Sequence, residues 1–284
     1  MSLEPFFGLI AAQKRGQAQG MTSICSANPL VIEASLRHAL AGTGPVLIES
    51  TCNQVNQFGG YTGMTPRDFV AFVTQIAQTL EFPMARLLLG GDHLGPSPWQ
   101  QEPAASAMAK AEALVRDYVR AGYAKIHLDA SMKCADDGPA LPLARQVSAR
   151  RAAAMARAAE EAAAGRDASA LPVYVIGTEV PVPGGVQEDE VHVSVTNAAD
   201  VAETIAITRQ AFLNEGLADA WTRVIAVVAQ PGVEFGDTLL AEYDPAAAQG
   251  LARLIADDPQ LIFEAHSTDY QPQDALEKLV VDHF

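Results

Sequence analysis

The chain has 284 residues, 49% of them hydrophobic, which is enough to bury a large core and suits one α/β domain better than two small ones. Its formal charge of −15 argues against nucleic acid and acidic membranes as partners, while leaving room for an anionic small molecule held by local donors. Three cysteines (Cys25, Cys52 and Cys134) are too few and too scattered for a disulfide framework or a zinc knuckle; no apolar run reaches the ~20 residues of a membrane span, and the N-terminus lacks the regions of a signal peptide, so a cytoplasmic protein is expected.

Residues 1–19 read as an N-terminal helical segment, followed by seven short apolar, β-rich runs at 21–26, 45–51, 86–91, 125–130, 173–177, 223–228 and 261–265. Helical patterns separate them. Pro29 opens the first, Thr65-Pro66-Arg67-Asp68 the second, and Pro103 stands near the start of the third. The Ala-rich stretch 143–164 is helical by propensity, with interleaved Arg, Glu and Met that suit an outer helix. Alternating strands and helices predict an α/β fold with a parallel sheet, and the absence of Gly-x-Gly-x-x-Gly after the first run favours a (β/α)8 TIM barrel over a Rossmann sheet. Seven βα units are visible within a single TIM-barrel domain spanning 1–284. An unclosed barrel would expose two strand edges, so the eighth unit is expected beyond Phe284.

Polar groups stand at nearly every strand end, where a barrel gathers its active site. The first strand offers Ser26, the second Glu49 followed by Asn53, Gln54, Asn56 and Gln57, and the third Asp92 and His93. The fourth offers Asp129, Ser131 and Lys133, the fifth Glu179, the sixth Gln230, and the seventh Glu264, His266 and Asp269. Asp92, Asp129 and Glu264 are candidate general acids or bases, since carboxylates crowded at one mouth shift one another's pKa values. His93, Glu179 and His266 form a candidate N/O ligand set for a divalent transition metal that would polarise a carbonyl; the alternative is that both histidines are hydrogen-bonding groups without metal. Lys133 reads as an ion-pair partner or a grip for an anionic group, and its loop position argues against a Schiff-base lysine. The remaining histidines, His38, His127, His192 and His283, read as structural or surface residues. The Pro/Gly-rich stretch 177–185 predicts a shaped loop over the mouth.

The segments Asn53-Gln-Val-Asn-Gln-Phe-Gly-Gly-Tyr-Thr-Gly-Met-Thr-Pro66, Leu89-Gly-Gly-Asp-His-Leu-Gly-Pro96, Lys125-Ile-His-Leu-Asp-Ala-Ser-Met132, Val175-Ile-Gly-Thr-Glu-Val-Pro-Val-Pro-Gly-Gly185, Gln230-Pro-Gly-Val-Glu-Phe235 and Glu264-Ala-His-Ser-Thr-Asp-Tyr270 resemble the Z-subunit family of tagatose-bisphosphate aldolase, GatZ/KbaZ. The resemblance runs from near residue 20 to the end. It implies a TIM barrel similar to class II aldolases and a role in tagatose and galactitol breakdown. The implied activity is C4 epimerisation of tagatose 6-phosphate, a phosphorylated ketohexose; the alternative is a non-catalytic subunit supporting a class II aldolase catalytic partner, and a homo-oligomer is also compatible. The kinase label attached to some members does not suit a chain without a Gly-rich phosphate loop. By resemblance Asp92 is the acid/base, His93 and His266 are zinc ligands, and Glu179 is the acidic residue of a neighbouring loop. Gln230 departs from the pattern, standing where class II aldolases place another zinc-binding histidine.

Overall fold

Each apolar run becomes a strand of one curled parallel sheet. The computed structural model of the chain describes residues 3–138, 143–177, 193–236 and 240–284. Seven strands pair in the order β1 (Ser23–Cys25), β2 (Val46–Thr51), β3 (Leu87–Leu94), β4 (Lys125–Leu128), β5 (Val173–Ile176), β6 (Val224–Val228) and β9 (Ile262–Glu264). The short antiparallel pair β7 (Glu234–Phe235) and β8 (Leu240–Ala241) stands apart. Helices α1 (Glu4–Lys14), α2 (Pro29–Ala39), α3 (Pro66–Thr79), α4 (Ala104–Ala121), α5 (Arg145–Ala163), α6 (Ala198–Asn214), α7 (Ala218–Trp221), α8 (Pro245–Ala256) and α9 (Gln273–Val281) complete the described residues.

Local chemistry sets the helix starts. Asn28 accepts the Leu30 amide before Pro29 opens α2, and Thr65 and Asp68 form a capping box around Pro66 at α3. In α5 the alanines lie inward: Ala149, Ala152, Ala153, Ala156 and Ala159 are buried, letting α4 and α6 pack closely on either side.

Two apolar layers result. Ile48, Leu89, Ile126, Leu128 and Tyr174 face outward from the sheet to meet the helices, whereas Leu47, Leu88, Val173, Val175, Ala226 and Val228 face the interior of the curl. Leu3, just before α1, and Phe6 and Ile10 within it join that interior layer. Within the expected helical segment 1–19, the helix itself covers only Glu4–Lys14.

Two expectations change. The complete eight-stranded barrel is not formed by the described strands: β1 and β9 are the sheet's two edges, and both line one cavity of about 830 Å³. The C-terminal residues cover part of the β9 edge, with the Phe263 amide donating to the His283 carbonyl at 2.8 Å and the Phe284 ring stacked on Phe263. Strand β3 does not stop at Gly91 but runs on through Asp92 and His93 to Leu94, with a register irregularity against β4 between Gly91 and Leu94. His93 there has φ +48°, an uncommon conformation for a non-glycine residue that bulges the strand and re-aims its side chain.

Candidate metal centre

Alternation along β4 builds the floor of the site. Lys125, His127 and Asp129 sit two residues apart, so they share one face, while Ile126 and Leu128 pack outward against the helices. Glu264 at the end of β9 and His266 two residues on repeat the pattern, as do Glu49 and Thr51 on β2. The curl of the sheet closes these faces on one another: Lys125 Nζ on β4 lies 3.0 Å from Glu49 Oε1 on β2 and contacts Glu264 Oε2 on β9.

Asp92, His93, His127 and His266 each offer one ligand-type atom, all within 4.8 Å of one another. Asp92 is the hub. Its Oδ1 is 2.9 Å from His127 Nδ1 and 3.4 Å from His266 Nε2, and its Oδ2 is 3.7 Å from His93 Nε2. The three imidazole rings lie 4.5–5.3 Å apart by centroid. His93 Nδ1 is 3.0 Å from Asp129 Oδ2, and Asp129 Oδ1 is itself held by the amide and hydroxyl of Ser131 at 3.0 and 2.6 Å.

Electrostatics organise the protons. Burial alone would raise the Asp92 carboxyl, but the surrounding His266 and His93, with the hydrogen bond from His127, hold it well below the usual carboxylate range. Burial raises Asp129, but the hydrogen bond with His93, the neighbouring His127 and His93 rings and the Ser131 hydroxyl together bring it down to about 2. Glu264 also falls to about 2 because Lys125 and His266 overcome the desolvation, whereas burial lifts Glu49 to about 7 against the pull of Lys125. His266 rises to about 10 against its burial, drawn up by Asp92 and Glu264; His127, fully buried, is lowered. His127 Nδ1 lies between two groups, 2.9 Å from Asp92 Oδ1 and 3.2 Å from the His93 amide, which donates to it, while its Nε2 is buried without a hydrogen-bond partner; both ring nitrogens of His266 likewise lack aligned partners.

These residues fit a divalent cation. Three imidazoles and a carboxylate are a donor set suited to zinc and its neighbours, and an ion bound there would displace the His266 proton and satisfy buried ring nitrogens that have no partner. Asp129 behind His93 supplies the carboxylate–histidine support common to such sites.

The other sequence-derived candidates divide. Ser26, Glu49, Asn53, Gln54, Glu264 and Asp269 line the cavity beside the cluster. Asn56 and Gln57 serve the β2–α3 connection: Asn56 accepts the Phe58 and Gly60 amides, and Gln57 donates to the Lys110 carbonyl. Lys133 does not line the cavity, and its charge acts on Asp137. Gln230 is used by its own turn, its Oε1 accepting the Gly232 and Val233 amides at 2.8 and 2.9 Å. Glu179 lies outside the described residues, as do His192 and nearly all of the 177–185 loop. His127 and Lys125 did not emerge as functional from the sequence reading. The available signal was their alternation with Asp129 in a parallel strand, where near-continuous apolar residues are the rule.

Known structures share this architecture. A crystal structure from Sinorhizobium meliloti 1021, named a probable tagatose 6 phosphate kinase, matches at 49% identity and TM-score 0.83, covering 94% of this chain and 63% of that one. The present chain therefore spans less than two thirds of that relative. A fructose-bisphosphate aldolase from Campylobacter jejuni matches at 12% identity and TM-score 0.55, over 100% of this chain and 78% of that one. The YdjI aldolase from Escherichia coli K12 matches at 9% and 0.54, over 96% and 76%; at such identities these two show the fold alone. A family model described as D-tagatose-1,6-bisphosphate aldolase subunit GatZ/KbaZ-like matches residues 6–284, and the chain belongs to that family.

Proposed function

We propose that this chain works in tagatose-pathway carbohydrate metabolism as a divalent-metal-dependent C4 epimerase of D-tagatose 6-phosphate. The observation that carries the reading is the buried convergence of Asp92, His93, His127 and His266 at one end of a curled parallel sheet, open to a cavity of about 830 Å³. The three imidazoles of His93, His127 and His266 would hold the ion, with the Asp92 carboxylate beside it. When bound, it supplies a Lewis acid that polarises the substrate's C2 carbonyl. Asp92, ionised, accepts the C4 hydroxyl proton as the C3–C4 bond breaks; the bonding pair moves toward C2 as an enediolate, and C4 becomes an aldehyde. Re-addition to the opposite aldehyde face restores the bond with inverted C4, and Asp92 returns the proton. Asp129 and Ser131 keep His93 oriented throughout.

Incubating the purified protein alone with D-tagatose 6-phosphate, with and without zinc, tests this reading. Appearance of fructose 6-phosphate, removed by chelator and restored by zinc, is the expected result; no product under either condition contradicts it.

A second reading follows from Gln230, whose carboxamide is committed to its own turn: a non-catalytic subunit supporting a class II aldolase. It predicts no epimerisation, together with a stable complex and higher activity when a class II aldolase catalytic chain is co-expressed. The curled sheet itself reads as seven strands of a (β/α)8 barrel, supported by the two edges facing one cavity, where an eighth strand would fit.

A further inference from the structure

Lys125 has no part in the chemistry above, yet it is a lysine that opens the central strand of a parallel sheet, 2% exposed. Burying an ammonium group is unfavourable unless it is closely paired, and a residue that merely filled the curl would resemble the valines of β5. Its contacts are directional. Nζ lies 3.0 Å from Glu49 Oε1 and touches Glu264 Oε2. The second oxygen of Glu264, Oε1, has no hydrogen-bond partner and lies 3.3 Å from His266 Nε2 and 3.9 Å from His127 Nδ1. Glu264 thus joins the lysine to two imidazoles of the cluster. On the far side Glu49 braces the lysine, in a space that Gly90 leaves open: a Cβ at position 90 would stand 2.0 Å from Glu49 Oε1.

We propose that Lys125 is a positioning residue for the imidazole cluster, acting through Glu264, whose free oxygen it presents to His266 and His127. The proposal rests on the reading of that cluster as a divalent-cation centre. Outer partners of metal-binding imidazoles fix ring orientation, and losing one typically weakens metal affinity by about 10- to 100-fold.

The test is Co(II) titration, followed by d–d absorption, of wild type, Lys125→Met, Glu264→Gln and the double variant, with Tm measured alongside. Each single variant should lose about 10- to 100-fold in Co(II) affinity with an altered band shape, and the double variant should be no weaker than the weaker single, because both act through one link. A Lys125→Met protein with lowered Tm but wild-type affinity and spectrum overturns the proposal. If that variant does not fold, Glu264→Gln, which leaves Lys125 its Glu49 partner, decides: wild-type Co(II) affinity there also overturns it. If wild type itself binds no Co(II), the metal reading fails separately, and imidazole nitrogen NMR of histidine-labelled protein tests the positioning. Shifted His266 signals in both single variants support it, and unchanged signals overturn it.

Discussion

His127 shows how one residue can be hidden in a sequence and decisive in a structure. Read singly, a histidine inside a strand is most simply structural, and its neighbours Ile126 and Leu128 reinforce that reading because both are buried beneath the helices. Only the period of two reveals it, since Lys125, His127 and Asp129 face the interior together. Gly95 is a second residue whose role is set by contact. A Cβ there would stand 1.7 Å from the Asp129 carbonyl oxygen, a backbone atom that cannot move without displacing the carboxylate behind His93. Gly95→Ala should therefore destabilise the protein by about 2 kcal/mol or more and weaken metal binding in step. A urea midpoint within error of wild type would contradict that account.

At the level of elements, what was legible was the strand set and its spacing. All seven apolar runs became strands of the one sheet, and Pro29, Pro66 and the Ala-rich stretch marked helices that formed there. The bulge in β3 was not legible, because Asp92-His93 after two glycines reads equally well as a turn, and a register shift depends on the facing strand. The connection from β4 to α5 depends on another carboxylate. Asp137 accepts two hydrogen bonds from Arg151 at 2.7 and 2.9 Å and one from the Cys134 amide at 2.7 Å. The Arg151 hydrogen bonds hold its pKa below the ordinary aspartate value. A group depressed by folding adds stability above its unfolded pKa of about 3.9 and loses it as pH falls through the folded value. The Tm gap between wild type and Asp137→Asn should accordingly be full at pH 7 and narrow below about pH 3.9. Thermal melts showing the same gap at both ends would contradict this.

For the whole molecule, the curl of the sheet matters more than any single element, because it brings β2, β3, β4 and β9 to bear on one buried polar centre while β5 and β6 line the interior with apolar side chains. The residues at strand ends could be listed from the sequence, but which of them meet depends on that curvature; it gathers His266 with Asp92 and leaves Lys133 and Gln230 aside. The same geometry leaves β1 and β9 as edges. In hydrogen exchange, amides of β3 and β4 in the sheet centre should be the most protected and those of Ser23–Cys25 the least. Equal protection of β1 and β3 would mean that the edge is covered by another strand.

Zinc stoichiometry after dialysis and reloading, compared between wild type and His127→Ala, tests directly whether Asp92, His93, His127 and His266 act as one centre. The expected result is about one tightly held zinc per chain in wild type and its loss in the variant. A wild-type protein that takes up no zinc, or a His127→Ala protein that retains it in full, would contradict the assignment.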